Sequence, residues 1–177
     1  MDQCKNFKSY KQRGEWVELR FMATAAERGF PILKPWGDTR PYDVAIDYGP
    51  NFLRIQVKST ACRTGTGYFC QCKPHYLKKQ DYTLDQVDLF AAYVIPVQAW
   101  YLIPAAVLLG PERKTGIMLY PVDPLKKDRY RYESYKEAWQ LLYKSRRALV
   151  ARFHHSRPAA KRRKNAARTQ VRGKLTR

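Results

Sequence analysis

The chemistry in this sequence is concentrated in three polar side chains, Asp43, Gln56 and Lys58. They lie in two neighbouring segments that alternate polar and apolar residues, and side chains paired across two strands come within roughly 5 to 8 Å of one another. A hard divalent cation such as Mg²⁺ takes oxygen ligands, and Asp43 and the carbonyl of Gln56 offer them. Lys58 could then orient or deprotonate an attacking water molecule, or neutralise charge on a phosphate.

An ordinary interpretation stays open beside the catalytic one. Asp43 and Lys58 also fit an exposed cross-strand ion pair, which stabilises a fold very little. The position of Glu18 supports the catalytic interpretation. Glu18 lies at the edge of the apolar stripe of a predicted helix, where a carboxylate is costly unless it pairs with a cation. Its own ordinary interpretation is a rim glutamate bonded to Arg20 or to a backbone donor.

The two segments, residues 42–48 and 53–59, predict an antiparallel hairpin around residues 49–52. If Tyr48 lies opposite Leu53, all the β-branched residues share one face and the polar residues share the other. The polar pairs of that register are Asp43 with Lys58, Ala45 with Gln56, and Asp47 with Arg54.

A helix is predicted over residues 14–28, which Gly29 followed by Phe30-Pro31 ends. Its buried face is predicted from apolar residues at helical spacing, namely Leu19, Met22, Ala23 and Ala26. A capping-box spacing that starts at Ser134 predicts a second helix running to about Phe153.

Further strands are predicted over residues 68–73, 88–95, 99–103 and around 117–120. The continuous apolar character of the second and third of these indicates burial on both faces. The element order therefore predicts one α/β domain built on a mixed sheet and covering residues 1–153.

The charge of the chain is strongly positive and unevenly placed. Lys and Arg number 34 against 15 Asp and Glu, a formal net charge of +19, which predicts a polyanionic partner. Residues 144–177 contain no acidic residue, and we interpret residues 154–177 as a disordered basic tail that binds nucleic acid. The tail residues Lys161, Arg162, Arg163 and Lys164, and Arg63 in a polar loop, are the candidate DNA contacts.

Several other functions are disfavoured. No segment resembles a signal peptide or a long apolar span, so we expect a cytoplasmic, nucleoid-associated protein that does not bind membranes. The four cysteines fit reduced thiols, and Cys70-x-Cys72 fits packing better than zinc binding. No nucleophilic triad, Walker loop or dinucleotide fingerprint is present in the sequence.

Four short motifs resemble the PD-(D/E)XK nuclease superfamily, particularly archaeal Holliday junction resolvases and intron-encoded homing endonucleases of that type. In chain order they are Gly14-x-x-x-Glu18, Gly29-Phe30, Pro41-Tyr42-Asp43-Val44 and Ile55-Gln56-Val57-Lys58-Ser59. The later apolar segments 88–93 and 100–104 are similar to core strands of small members of that superfamily.

The resemblance implies a restriction-endonuclease-like core, a mixed sheet flanked by helices. It also implies a Mg²⁺-dependent endonuclease, with Mn²⁺ as a substitute, that hydrolyses DNA phosphodiesters in homing or junction resolution as a homodimer or homotetramer. Glu18, Asp43 and Gln56 would surround the metal, with Lys58 beside the water.

Two residues depart from the pattern of that superfamily. Tyr42 stands where a proline is usual, at a position that does no chemistry. Gln56 replaces an acidic residue, and a neutral amide binds a divalent cation more weakly than a carboxylate does. A catalytically inactive nucleic-acid-binding module on the same fold therefore stays open as the alternative function.

Overall fold

The computed structural model describes residues 7–37, 39–48, 52–73, 81–110, 115–122 and 131–143. The elements in chain order are α1 (Tyr10–Glu27), β1 (Ile32–Leu33), β2 (Val44–Asp47), β3 (Phe52–Thr60), β4 (Arg63–Thr64), β5 (Gly67–Gln71), β6 (Leu89–Val94), β7 (Ala99–Pro104), α2 (Ala105–Leu108) and β8 (Gly116–Leu119). The predicted mixed α/β architecture is confirmed.

The larger sheet has five strands in the order β1-β2-β3-β6-β7. Strand β3 pairs with β6 in parallel, and the other three pairings are antiparallel. Every residue of β6 and β7 is buried, which confirms the burial on both faces that their apolar runs predicted.

Helix α1 covers one face of this sheet. Ser9 caps its N-terminus by accepting the N–H of Gln12, and Gly29 adopts a positive φ of 79° just past its end. The buried residues of the helix are Val17, Phe21 and Ala25, which join the side chains of one sheet face in an apolar cluster. The predicted stripe that included Leu19 was wrong, since Leu19 is 62% exposed.

The hairpin of β2 and β3 has the predicted faces but another register. Val44 lies opposite Ile55, Ala45 opposite Arg54, and Asp47 opposite Phe52, which is a shift of two residues from the predicted pairs. Because side chains alternate with period two, a shift of two leaves every residue on its predicted face. Five residues of the predicted apolar face therefore pack together, and α1 covers them: Val44, Ile46, Leu53, Ile55 and Val57. Tyr48, predicted on the same face, is 39% exposed.

A smaller sheet of β4, β5 and β8 covers part of the other face of the larger sheet. The predicted strands over 68–73 and around 117–120 lie in this sheet, paired with each other. Cys70 and Cys72 are buried free thiols in the apolar cluster between the sheets, which agrees with a packing role.

The predicted second helix was wrong over its described part. Residues 133–143 form two short 3-10 turns, Glu133–Tyr135 and Trp139–Tyr143, and Glu137 between them has a positive φ of 50°. The carboxylate of Glu137 accepts the backbone N–H of Trp100 at 2.7 Å and the indole N–H of Trp139 at 2.8 Å. These tertiary contacts replace a continuous helix, and residues 144–153 lie outside the described part of the chain.

A buried ion pair fixes the start of β6 against β3. The guanidinium of Arg54 donates to both carboxylate oxygens of Asp88 at 2.9 Å, and the backbone N–H of Arg54 donates to the same carboxylate. Arg54 therefore does not pair with Asp47 as predicted. Among the described helices, none combines the length and the apolar character that crossing a membrane requires.

Candidate nuclease site

Asp43 lies directly before β2, where the hairpin partner β3 continues past the start of that strand. Its backbone N–H donates to the carbonyl of Ile55 at 3.0 Å, which fixes the residue in the hairpin. Its Oδ2 accepts the backbone N–H of Val57 at 2.8 Å and the side-chain amide of Gln56. The carboxylate is therefore held by two donors from β3.

The surroundings of Asp43 disfavour its charged form. Burial and, second, the nearby charge of Glu18 raise the pKa of Asp43 from 3.8 to about 6, against the opposing effects of the Val57 N–H, Lys58 and Gln56. Two carboxylates that repel each other in this way would be stabilised by a cation. Such a perturbed pKa is typical of functional sites.

Gln56 is buried, with 6% of its surface exposed, on the same face as Asp43. Its amide nitrogen faces the Asp43 carboxylate, because a carboxylate accepts hydrogen bonds and an amide oxygen cannot donate one. The predicted pairing of Gln56 with Ala45 was wrong. The two-residue shift instead places Gln56 beside Asp43.

Lys58 points into the cluster between the two sheets, next to Tyr82. Its Nζ donates to the Tyr82 hydroxyl at 3.1 Å and lies 5.2 Å from the centre of that ring. Lys58 also lowers the pKa of Asp43, so the two side chains share one neighbourhood although they are not directly paired. Tyr82 was not predicted as a site residue, since the sequence around it gives no clear periodicity.

Glu18 approaches from α1 and is held by Lys34. The Lys34 Nζ lies 2.6 Å from Oε2 of Glu18, whose side chain is 23% exposed. Arg20 or a backbone donor was the alternative partner predicted for Glu18. The ion-pair partner in the structure is Lys34, and Arg20 donates to the side chain of Gln98. Lys34 was missed by the sequence argument, because a single lysine after a two-residue strand carries no pattern.

Of the other predicted site residues, the structure describes only Arg63. Arg63 is exposed on β4 in the smaller sheet, where its Nε donates to the carbonyl of Gly65 at 3.3 Å. Residues 161–164, and the whole tail 154–177, lie outside the described residues.

The candidate ligands are few, but their oxygen atoms are of the kinds that a hard divalent cation binds. Glu18 and Asp43 supply carboxylate oxygens and Gln56 supplies an amide oxygen, the ligand types that Mg²⁺ takes together with water. Within the described ranges, no group of three or more His, Cys, Asp or Glu residues could hold a metal ion, so a site here would need amide, backbone or water oxygens beside the two acids. The residues present therefore fit a magnesium-type site of two acids and one amide.

An open cavity of about 410 Å³ is lined in part by Tyr42, the residue directly before Asp43 in the chain. It is lined by Arg40, Pro41, Tyr42, Phe52, Arg54, Asp85 and Gln86. On the loop between β1 and the site, Trp36 is 97% exposed. The surface around Asp43 thus offers basic and aromatic side chains.

Comparison with known proteins identifies the class to which this fold and site belong. The model of the PD-(D/E)XK endonuclease family matches residues 8–142, which cover α1, both sheets and all four site residues. The chain belongs to the PD-(D/E)XK endonuclease family.

A solved structure of a bacterial homing endonuclease, I-Ssp6803I, is similar to this chain, with a TM-score of 0.65 and 27% sequence identity. The similarity covers 76% of this chain and 94% of that chain. No curated protein sequence matches the chain significantly. The family and this relative confirm the resemblance recognised from the motifs and support a nuclease function.

Proposed function

We propose that this protein is a metal-dependent DNA endonuclease of the homing type, which hydrolyses phosphodiester bonds with Mg²⁺. The proposal is supported above all by Asp43, whose carboxylate accepts the side-chain amide of Gln56 and is influenced by the charges of Glu18 and Lys58, in a fold of the endonuclease family. The homing type is supported by the relative I-Ssp6803I, which is described as a homing endonuclease.

Asp43, Glu18 and the carbonyl of Gln56 would hold the cation. The cation would polarise the scissile phosphodiester and favour the attack of water on its phosphorus. Gln56 would turn its amide so that the oxygen faces the cation, while the Val57 N–H keeps Asp43 in place. A cation there would offset both causes of the raised pKa of Asp43, namely its burial and, second, the repulsion from Glu18.

Lys58 would act on the reacting phosphate or on the attacking water. Its ammonium is oriented by the hydroxyl and ring of Tyr82, so it does not lose side-chain freedom when substrate binds. A preoriented positive charge in a partly buried site stabilises the charge that develops on the phosphate oxygens. Tyr82 is therefore a positioning residue for Lys58.

DNA would be bound by basic groups around this site and beyond it. Arg63 and the tail residues Lys161, Arg162, Arg163 and Lys164 would contact phosphates without reading sequence. Assembly as a homodimer or homotetramer, which the resemblance implies, stays a prediction.

Cleavage assays separate the endonuclease from an inactive binding module. Plasmid and four-way-junction DNA are incubated with the wild type and with Lys58→Ala, in Mg²⁺, in Mn²⁺ and in EDTA. The endonuclease predicts cleavage with either metal, none in EDTA, and loss of cleavage in Lys58→Ala with DNA binding retained. Binding without cleavage by the wild type under all conditions would establish the inactive module, and equal cleavage by both proteins would indicate another site or a contaminant.

A further inference from the structure

Lys34 is a cation that already occupies the acidic side of the site. Its Nζ lies 2.6 Å from Oε2 of Glu18 and is hydrogen-bonded to it. Glu18 in turn acts on Asp43 and raises its pKa. The ammonium therefore contacts one of the two carboxylates proposed to hold the metal.

The charges of the site are balanced without any added ion. Glu18 and Asp43 carry two negative charges, and Lys34 and Lys58 carry two positive charges. A divalent cation bound at Glu18 would lie close to the Lys34 ammonium, which is 2.6 Å from Oε2 of the same carboxylate, and the two positive charges would repel each other. Displacement of one of the two lysines would relieve that repulsion.

Lys34 is the lysine that is free to move. Its side chain is 50% exposed, whereas Lys58 is hydrogen-bonded to the buried Tyr82. The loop that begins with Lys34 faces solvent, since Trp36 is 97% exposed and Arg40 is also exposed. A released Lys34 ammonium would therefore extend into solvent, where it would be accessible to a phosphate.

We propose that Lys34 holds the place of the divalent cation at Glu18 and is released by metal binding to contact a DNA phosphate. The inference rests on the proposed function and makes Lys34 a positioning residue that couples metal binding to DNA binding. Such coupling is reciprocal, so a metal that frees Lys34 strengthens DNA binding, and DNA strengthens metal binding by the same factor.

The first step, competition between Lys34 and the metal, is tested by the affinity of the full chain for Mn²⁺ in the absence of DNA. Electron paramagnetic resonance of the free ion measures that affinity. Lys34→Met removes the competing charge and keeps the length of the side chain. We expect it to bind Mn²⁺ about two- to tenfold more tightly than the wild type, the range for loss of a partly exposed ion pair and its charge. Equal or weaker binding by Lys34→Met would overturn the inference.

Lys11→Met is the matched control, because Lys11 pairs with Glu15 at 3.9 Å on the exposed surface of the same helix. It should leave Mn²⁺ binding unchanged, and an equal increase in both variants would mean that only the net charge matters, which contradicts the specific role of Lys34. Circular dichroism of each variant confirms that the fold is retained.

Affinity for a short labelled duplex tests the second step, measured by fluorescence anisotropy in EDTA and in Ca²⁺. In EDTA Lys34 is engaged by Glu18, so Lys34→Met should bind DNA as well as the wild type does. In Ca²⁺ the variant should bind about three- to tenfold more weakly, because the wild type gains one phosphate contact. The same ratio of affinities in both conditions would overturn the coupling.

The failure of this inference is distinguishable from failure of the proposed function. If no variant binds Mn²⁺, the place-holder role of Lys34 is overturned. Cleavage of plasmid DNA in Mg²⁺ then decides the endonuclease proposal separately, because cleavage can be present whether or not Lys34 competes with the metal.

Discussion

Replacement of Asp43 by Asn should stabilise the metal-free protein at neutral pH. The pKa of Asp43 is raised from 3.8 to about 6, so its ionised form is less favourable in the folded chain than in the unfolded one. At about 1.4 kcal/mol for each pH unit, the upper limit of this cost is about 3 kcal/mol. Asn carries no charge, and it can still accept the N–H of Val57.

Two effects reduce the expected gain. Asp43 is only partly buried as a whole residue, and Asn accepts the donors from Gln56 and Val57 less strongly than a carboxylate does. We expect Asp43→Asn to unfold with a free energy about 1 to 2 kcal/mol higher than that of the wild type at pH 7.5 in EDTA. For a chain of this size the melting temperature should rise by roughly 2 to 8 °C.

The difference should depend on pH in a defined direction. As pH falls through about 6 toward 4, Asp43 becomes protonated in the folded wild type before it does so in the unfolded chain. The destabilisation disappears over that window, so the advantage of Asp43→Asn should be lost near pH 4. Mg²⁺ should reverse the order of stability of the two proteins at pH 7.5, because it binds only the wild type. At an Mg²⁺ concentration of a hundred times its dissociation constant, binding raises the free energy of unfolding by about 2.7 kcal/mol.

Thermal unfolding followed by circular dichroism, in EDTA and in Mg²⁺ and from pH 4 to 8, measures all of these effects. Glu15→Gln is the control, because Glu15 is an exposed acid on α1 whose removal should change stability by less than about 0.5 kcal/mol. A less stable Asp43→Asn protein in EDTA at pH 7.5, with no dependence of the difference on pH, would refute the reasoning.

Three further predictions follow from the same structure. Gln56→Glu places a third acid beside Asp43, so cleavage should reach half its maximal rate at a several-fold lower Mg²⁺ concentration. A titration of the cleavage rate with Mg²⁺ measures this, and an unchanged or higher Mg²⁺ requirement would place Gln56 away from the metal. Asp88→Asn leaves Arg54 without its full partner and should lower the free energy of unfolding by about 2 to 4 kcal/mol in urea titrations, whereas a change below about 0.5 kcal/mol would mean that the pair is dispensable. Deletion of residues 156–177 should weaken DNA binding most at low salt. The slope of log binding constant against log salt concentration should become shallower by about 0.9 for each phosphate that the tail neutralises, and an unchanged slope would exclude the tail from binding.

The sequence predicted the faces of the hairpin but not its register. Alternation of polar and apolar residues fixes which side of the sheet Asp43, Gln56 and Lys58 share. The pattern repeats every two residues, so it cannot distinguish the predicted register from the observed one. Because the shift was of two residues, Asp43, Gln56 and Lys58 keep the face on which they were predicted, although their cross-strand partners differ.

Helical segments were harder to predict, for different reasons. Helix α1 carries apolar residues around most of its circumference, so the set with Leu19 and the set with Val17, Phe21 and Ala25 both have helical spacing. Around Glu137 local propensity favoured a helix. The backbone N–H of Trp100, which is distant in sequence, binds the Glu137 carboxylate and leaves only short turns.

The partners that complete the site could not be predicted. Lys34 contacts Glu18 across 16 positions of sequence, and Tyr82 contacts Lys58 across 24. Such contacts depend on how the loops cross the ends of the strands, and no period or spacing encodes them. Glu18, Asp43 and Gln56, in contrast, lie on or next to regular elements, so the motifs could single them out as candidate site residues.

The most direct test of the account is the single-turnover rate of DNA cleavage in saturating Mg²⁺, measured together with DNA affinity for Asp43→Asn and Lys58→Met. Lys136→Met is the control, since Lys136 lies beside β7 at the far edge of the sheet and bonds the carbonyl of Pro121. We predict that both site variants cut at least about 100-fold more slowly with DNA affinity within about tenfold of the wild type, and that the control cuts at the wild-type rate. Cleavage at the wild-type rate by Asp43→Asn would contradict the assignment of the active site.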